Sequence, residues 1–206
     1  MNAFVTVTDG TYEYEVNRSR FIGVCRRVAN DAEAAERLQE IRRNYRDCTH
    51  VCYAYVTRES SRSSDDGEPS GTAGAPIMEC IRAAGVCDTL VAVVRWFGGI
   101  KLGTGGLVRA YTHTASEALG AAGKTEVAQC EVLNAHFTYA VWKKIEKRSL
   151  QSLYKLLATV YNKTVDVVYA AQNGDALCEE LRLLTLGKCE IERLGVQTVE
   201  RAKSST

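Results

Sequence analysis

The chain is 206 residues long and almost neutral, with 26 Lys and Arg residues against 25 Asp and Glu residues and a formal net charge of +1. This balance excludes a protein that binds nucleic acid through its overall positive charge, so any basic surface has to be local. Hydrophobic residues make up 46% of the chain and charged residues 25%. These proportions are typical of a globular protein with a buried core and argue against disorder.

The N-terminal segment and the cysteine content indicate the compartment. Residues Met1 to Gly10 lack the basic start and the apolar stretch of a secretory leader. The most apolar segment, Leu90 to Val94, is far shorter than the ~20 residues that a bilayer requires. Eight cysteines in 206 residues are too few for a disulfide scaffold. We therefore expect a cytoplasmic protein with reduced thiols, no membrane contact and no secreted partner.

The first part of the chain reads as strands, then a helix, then a strand. Residues 4–28 alternate as strands do. Asn30 is a candidate N-cap with Glu33 reaching back to it, and the helix that follows has an apolar face of Ala34, Leu38, Ile41 and Tyr45. Residues His50 to Val56 alternate as a strand, with one side carrying His50, Cys52 and Ala54 and the other Val51, Tyr53 and Tyr55.

Residues 59–75 are rich in Ser, Gly and acidic residues and predict a long loop without regular structure. A short helix, Pro76 to Ala84, and a buried strand, Thr89 to Arg95, follow. The Gly-rich segment 98–106 then opens a third helix. The apolar stripe of this helix consists of Leu107, Ala110, Tyr111, Thr114 and Ala118.

The pattern restarts near residue 128. We predict a strand through Leu133, Ala135, Phe137 and Tyr139, and then a helix that carries Trp142, Ile145, Leu153, Leu156 and Leu157. An extended region, 160–171, a helix from Asn173 to Gly187 and a strand, 188–199, complete the chain. If region 160–171 folds as a hairpin near residue 162, the order is the ferredoxin-like βαββαβ. The sequence therefore predicts an α+β protein with two domains, 1–127 and 128–206.

The Gly-rich segment carries the chemistry that points most clearly to a ligand. Glycines at the start of a helix expose backbone N–H groups, which favour a phosphate or another anion. Residues 89–116 contain no acidic residue but do contain three basic ones. We predict a nucleic-acid or phosphate site at Arg95, Gly98, Gly99, Lys101, Gly103, Gly105, Gly106 and Arg109. The segment matches neither the P-loop nor the dinucleotide-binding pattern.

The acidic loop offers further candidates beside that site. Residues 65–68, Asp-Asp-Gly-Glu, could present carboxylates to magnesium or to a proton-transfer step, although such runs are more often simply solvated. We expect His50, Asp66, Glu68 and Thr72 to line the same cleft. A zinc site at Cys48, His50 and Cys52 is disfavoured, because three ligands along one strand seldom converge on a tetrahedron. No metal or cofactor is expected.

Four segments resemble the signature blocks of the YigZ/IMPACT family. They are SRFIG at 19–23, THVCYAY at 49–55, DDGEPSGTAGAP at 65–76 and VVRWFGGIKLGTGGLVRAY at 93–111. The resemblance covers nearly the whole chain, and the last two blocks are long and specific. Trp96, where a tyrosine is usual, and Met78, where an aliphatic residue is common, are small departures.

The resemblance implies a fold and a setting. It implies an IMPACT-type N-terminal domain with the left-handed βαβ fold of a small-subunit ribosomal protein domain and of elongation factor G domain IV. The second domain would be ferredoxin-like and similar to domain V of that factor. Eukaryotic relatives act on translational control by binding a large activator of a stress kinase. The broad fold also includes small-molecule kinases with a Gly-rich phosphate loop.

These observations lead to one main hypothesis and two alternatives. The main hypothesis is a binding or regulatory protein, rather than an enzyme, that engages RNA or a ribosome-associated protein through the Gly-rich cleft. One alternative is a magnesium-dependent enzyme that acts on a nucleotide or a phosphorylated small molecule. The other is a protein-interaction module that regulates a stress-response kinase pathway.

Overall fold

The computed structural model describes residues 3–146 and 154–203. Two compact units are present, Phe4–Glu126 and Val127–Glu200. The secondary structure is mixed α+β, as expected from the sequence. Within the described residues, no helix is long and apolar enough to cross a membrane.

The N-terminal unit has six strands and three helices. They are β1 (Phe4–Val7), β2 (Gly10–Val16), β3 (Ser19–Arg27), α1 (Asp31–Asn44), β4 (His50–Val56), β5 (Ser61–Ser64), α2 (Gly74–Ala84), β6 (Thr89–Trp96) and α3 (Gly103–Ala122). The main sheet has the strand order β2-β3-β6-β4-β5, and every neighbouring pair is antiparallel. Strand β6 is the centre of this sheet.

Helices cover both faces of that sheet. Strand β4 shows how alternation assigns the faces, because Cys52 and Ala54 pack with α2 and α3 whereas Val51 and Tyr55 pack with α1. All of β6 from residue 89 to residue 95 is buried, as expected for a strand covered on both sides. The sides predicted for β4 and the apolar stripe predicted for α3 are thus confirmed.

The ends of α1 and α3 follow from particular residues. The Asn30 side chain accepts a hydrogen bond from the Glu33 backbone N–H at 2.9 Å, and the Glu33 carboxylate accepts one from the Ala29 N–H at 2.8 Å. This is a variant of the capping box, because the Glu33 carboxylate accepts from the N–H of Ala29 and not from that of the N-cap residue Asn30. Helix α3 ends at Gly123, which has a φ of +70°, a region that favours glycine.

The C-terminal unit is built from β7 (Lys124–Phe137), α4 (Tyr139–Ile145), β8 (Tyr154–Tyr161), β9 (Val165–Ala171), α5 (Gly174–Thr185) and β10 (Glu190–Lys203). Among its strands, β9 lies between β7 and β8, and β10 also pairs with β7. Both helices pack on the same apolar cluster, which includes Leu133, Phe137 and Tyr169. The element order βαββαβ and a turn at 162–164 between β8 and β9 agree with the sequence prediction.

Three local predictions are wrong. Leu156 and Leu157 lie in strand β8 and not in a helix, and Leu153 lies outside the described residues. Tyr139 begins α4 and does not continue the preceding strand. The stretch predicted as a structureless loop contains β5, and α2 begins at Gly74, two residues before the predicted start.

Candidate functional site

The loop between β5 and α2 is organised by the Asp65 carboxylate. This carboxylate accepts hydrogen bonds from the backbone N–H groups of Gly71, Ala73 and Gly74 at 2.8–2.9 Å. Burial of the carboxyl opposes its ionisation, but the N–H groups of Gly71, Gly74 and Ala73 together lower the pKa of Asp65 below its ordinary value. Asp65 therefore closes the loop and supplies an anion at the start of α2.

The next turn fixes His50. Asp66 and Gly67 have positive φ angles of +44° and +89°. The Asp66 carbonyl accepts a hydrogen bond from His50 Nδ1 at 2.8 Å, and its carboxylate accepts from the Val51 N–H at 2.7 Å and from Arg42 at 3.1 Å. The Asp66 side chain thus ties the loop to β4 and α1.

Arg95 and Glu68 form a buried ion pair at the end of β6. Arg95 Nη1 donates to Glu68 Oε1 at 2.5 Å, and the side chains are only 5% and 4% exposed. The Tyr111 hydroxyl donates to the same carboxylate oxygen at 2.8 Å, and Arg95 Nη2 donates to the Ser19 hydroxyl at 3.3 Å. A buried pair of this kind needs such extra hydrogen bonds to offset the loss of hydration.

Two neutral groups continue this network into the core. Cys52 Sγ lies 3.3 Å from the Tyr111 hydroxyl and 3.0 Å from the Asp65 carbonyl. Burial raises the pKa of the Cys52 thiol to about 12, and burial also raises the pKa of Tyr111 well above its ordinary value. Both groups are therefore protonated at neutral pH, so Cys52 is an unreactive thiol and Tyr111 is a hydrogen-bond donor.

The Gly-rich segment 98–106 is tightly packed at Gly98 and open to solvent space at Gly103. A Cβ on Gly98 would lie 2.0 Å from the Arg18 carbonyl oxygen, so this position requires glycine. Gly103 has a φ of +69°, and no heavy atom of the described residues lies within 4 Å of where its Cβ would be. Helix α3 begins there, and none of the described side chains caps it. Its first backbone N–H groups are therefore available to a ligand.

A cavity of about 440 Å³ opens at this helix start; we call it the α3 cavity. Its described lining residues are Thr49, His50, Glu68, Pro69, Arg95, Phe97, Lys101, Leu102, Gly103, Thr104 and Leu107. Glu68 is the acidic residue in this lining, and Arg95 neutralises it. Lys101 is exposed, so the lining carries a net positive charge.

The predicted site residues divide into two groups. Lys101, Gly103, His50, Glu68 and Arg95 line the α3 cavity. Beyond that lining lie Gly98, Gly99, Gly105, Gly106, Arg109, Asp66 and Thr72.

Three of the predicted residues have partners within the protein. Arg95 is a buried partner of Glu68 and not an exposed cation. The Asp66 side chain is engaged by Val51 and Arg42, away from the cavity. The Thr72 hydroxyl donates to the Pro69 carbonyl at 2.6 Å and is buried in its own turn.

Arg109 is an exposed cation close to the first turn of α3. Its Nη1 lies 3.7 Å from the point that a Cβ on Gly105 would occupy. Arg109 therefore stands next to the helix start, although it lies outside the cavity lining.

Sequence reasoning missed the apolar part of the lining. Phe97 is 47% exposed and lines the cavity together with Leu102 and Leu107. Phe97 lies directly between a buried strand and the Gly-rich segment, so its position at the end of the sheet was predictable. Its exposure was not, because an aromatic residue at that point is as compatible with the core as with the surface.

A larger groove, about 800 Å³, lies between α2 and α3, and its lining includes Cys80, Val108 and Leu119. The charged residues of that lining are Glu79 and Lys124. The α3 cavity is the better candidate because it combines an uncapped helix start, a cation and an imidazole. Within residues 3–146 and 154–203, no cluster of His, Cys, Asp and Glu is arranged to hold a metal ion.

Comparison with known proteins places the chain in a family. The model of the Impact N-terminal domain matches residues 17–119. The IMPACT family member YvyE of Bacillus subtilis is 35% identical over 208 residues, covering 98% of this chain and 96% of that protein. The IMPACT family member YigZ of Escherichia coli is 39% identical over 110 residues, covering 51% of this chain and 54% of that protein.

A solved structure is similar over nearly the whole chain. The crystal structure of a hypothetical protein is 28% identical and has a TM-score of 0.61, with 93% of this chain and 97% of that chain covered. Both halves of the fold described above are therefore shared with an experimentally determined structure. Together with the family model and the full-length relative, this similarity shows that the chain belongs to the YigZ/IMPACT family.

Proposed function

We propose that this protein is a binding protein linked to translation that engages RNA through the α3 cavity. The observation that carries the proposal is the uncapped start of α3 at Gly103, which opens into the cavity beside Lys101. Backbone N–H groups at a helix N-terminus and a nearby cation are the elements that recognise a phosphate. Family membership supports the translational setting, since the resemblance implies that eukaryotic members act in translational control.

The charges around the cavity favour an anionic ligand. Lys101 is unopposed by any acid in the described lining, because Glu68 is neutralised by Arg95. Arg109 lies near the first turn of α3 and adds a second cation within reach of a bound backbone. With two such contacts, we expect moderate affinity and a log-log salt slope of about −1.4 for single-stranded RNA.

The magnesium-dependent enzyme is less well supported, because the acidic loop already has protein partners. Asp65 caps the turn before α2, Asp66 bonds to β4 and α1, and Glu68 pairs with Arg95. A magnesium site needs carboxylate oxygens that are free to coordinate the ion. Recruiting any of the three would break a contact that shapes the loop.

The proposal also assigns a fold type to each of the two domains. In the C-terminal unit, β7 pairs with both β9 and β10, and β9 pairs with β8. With both helices on one apolar cluster, this pairing supports a ferredoxin-like domain similar to domain V of elongation factor G. For residues 1–127, the segment β3-α1-β4, with β6 between the two strands, supports a βαβ unit of the type found in domain IV of that factor. Both assignments fit a protein that works near the ribosome.

The experiment is a salt titration of single-stranded RNA binding by fluorescence anisotropy. Lys101→Ala and Arg109→Ala should each weaken binding and each reduce the magnitude of the salt slope by about 0.7. Arg43→Ala is the matched control: Arg43 is an exposed cation at the end of α1, on the opposite face of the sheet. It should leave both the affinity and the slope unchanged.

A different result would redirect the proposal. If the wild-type protein binds RNA and neither cavity variant changes the slope, RNA binding occurs elsewhere on the chain. If the wild-type protein does not bind RNA but a complex recovered from cytosol survives ribonuclease treatment, the partner is a protein. In that case the protein-interaction alternative replaces the RNA proposal.

A further inference from the structure

Phe97 is an exposed aromatic ring held at the edge of the α3 cavity. It follows the last residue of β6, lines the cavity and is 47% exposed. The Arg95 guanidinium carbon lies over its ring, 5.6 Å from the centroid. Because Arg95 is itself buried and paired with Glu68, one face of the ring is supported from inside the protein. The exposed part of the ring is left for a ligand.

The backbone on both sides of Phe97 is anchored. The Phe97 N–H donates to the Thr49 hydroxyl at 3.0 Å, and the Gly98 N–H donates to the Ser19 hydroxyl at 3.3 Å. The close approach of Gly98 to the Arg18 carbonyl fixes the chain further. A ring held in this way has already lost much of its freedom, so less entropy is lost when a ligand binds to it.

The position of the ring limits the class of ligand. Phe97 and Lys101 line one cavity together with the start of α3, so an aromatic surface and a phosphate-binding element face the same volume. A volume of about 440 Å³ lies within the ~300–1,000 Å³ range of small-ligand sites and can hold one nucleotide. A duplex keeps its bases stacked inside and presents no free base face to an aromatic side chain.

We propose that Phe97 stacks on one unpaired base of a single-stranded RNA whose adjacent phosphate lies at the start of α3. This inference rests on the proposed function and specifies the ligand as single-stranded and base-containing. Stacking on an aromatic side chain is largely independent of sequence, because every base has a π face. The site therefore recognises an exposed base next to a phosphate and not a particular sequence.

The test compares three RNA probes by fluorescence anisotropy at fixed salt. They are a labelled single strand of about 12 nucleotides, the same strand with abasic positions, and a blunt-ended duplex of that strand with its complement. Wild-type protein should bind the intact single strand most tightly. Phe97→Ala and Phe97→Leu should weaken that binding by about 5- to 150-fold, the range that stacking of one base predicts. Phe97→Tyr should remain close to wild type.

The matched control is Ile100→Ala. Ile100 is 43% exposed in the same loop but lies outside the described cavity lining, so its loss should leave RNA affinity unchanged. The Phe97 variants should also keep the wild-type salt slope and bind the abasic strand as wild type does. Phe97→Leu keeps an apolar side chain at the position, so it separates the loss of stacking from the loss of packing.

The outcomes separate this inference from the proposed function. If Lys101→Ala weakens binding but Phe97→Ala and Phe97→Leu do not, the phosphate site stands and base stacking is overturned. Equal wild-type affinity for the abasic strand, or for the duplex, also overturns stacking. If wild-type protein binds none of the three probes, both proposals fail.

Discussion

Removal of the Glu68 carboxylate should destabilise the N-terminal unit strongly. In Glu68→Ala, the Arg95 guanidinium stays buried, with its side chain only 5% exposed, and keeps the 3.3 Å hydrogen bond to Ser19. Tyr111 also loses the acceptor 2.8 Å away. Breaking a buried ion pair by removing one partner costs about 3–5 kcal/mol of unfolding free energy. Such a loss is a large part of the ~5–15 kcal/mol that stabilises a typical domain.

The assay is urea unfolding followed by Trp96 fluorescence in a Trp142→Phe background. The chain has two tryptophans, one in each unit, so this background reports on the N-terminal unit. For an m-value of about 2 kcal/mol per molar urea, a loss of about 4 kcal/mol lowers the midpoint by about 2 M. The surface control is Glu79→Ala, because Glu79 and its partner Arg82 are 71% and 59% exposed. This variant should lose less than about 1 kcal/mol.

A double variant distinguishes the cost of burying the unpaired Arg95 charge from the loss of its attraction to Glu68. Glu68→Leu combined with Arg95→Met removes both charges and should recover most of the stability lost in Glu68→Ala. The reasoning is refuted if Glu68→Ala loses no more than Glu79→Ala does. It is refuted as well if the double variant is less stable than Glu68→Ala, because the cost would then not come from the unpaired cation.

Three further predictions concern stability. Asp65→Asn should lower the unfolding free energy by about 1–2 kcal/mol, because the N–H groups of Gly71, Ala73 and Gly74 lose a charged acceptor. The pKa of Asp65 is lower in the folded protein than in the unfolded chain. The stability that its carboxylate contributes is therefore present above the unfolded pKa and is lost as pH falls through the folded pKa. On acidification, the urea midpoint of Asp65→Asn should thus fall less steeply than that of the wild-type protein. Gly98→Ala forces a Cβ to within 2.0 Å of the Arg18 carbonyl oxygen, whereas Gly120→Ala in α3 meets open space; thermal scans should show the first variant less stable and the second more stable by about 0.5–1 kcal/mol. Asn173→Ala removes the acceptor of the Ala176 N–H at 3.0 Å and should cost about 1 kcal/mol, measured as faster amide exchange in the first turn of α5.

The sequence predicted the elements whose signals are local. The Asn30 and Glu33 pair marked the start of α1, and the alternation of residues 50–56 assigned both faces of β4. Strand β5 was missed because Ser61, Arg62, Ser63 and Ser64 have no strand propensity of their own. Pairing with β4 stabilises that conformation, and such pairing is not visible in a single segment. The leucines of β8 were read as helical because residues 153, 156 and 157 have helical spacing.

The sequence indicated where the candidate site lies in the chain but not how its charges are paired. The uncapped start of α3 and Lys101 could be read from the glycines and the lack of acids. Arg95 was read as a free cation because its partner Glu68 is 27 residues away in the sequence. Only the folded sheet brings the acidic loop over the end of β6. Tyr111 was predicted as part of an apolar stripe, and that pattern gives no sign of its hydrogen bond to Glu68.

The most direct test of the account is an amide-shift NMR titration of the full chain with short single-stranded RNA. We predict that the largest changes fall on the N–H groups of Phe97, Gly103, Thr104 and Gly105, because the phosphate binds at the start of α3 and the base stacks beside it. Amides of Ala83 and Ser116, in the groove between α2 and α3, should stay unchanged. Changes confined to that groove, or none at saturating RNA, would contradict the assignment of the α3 cavity as the binding site.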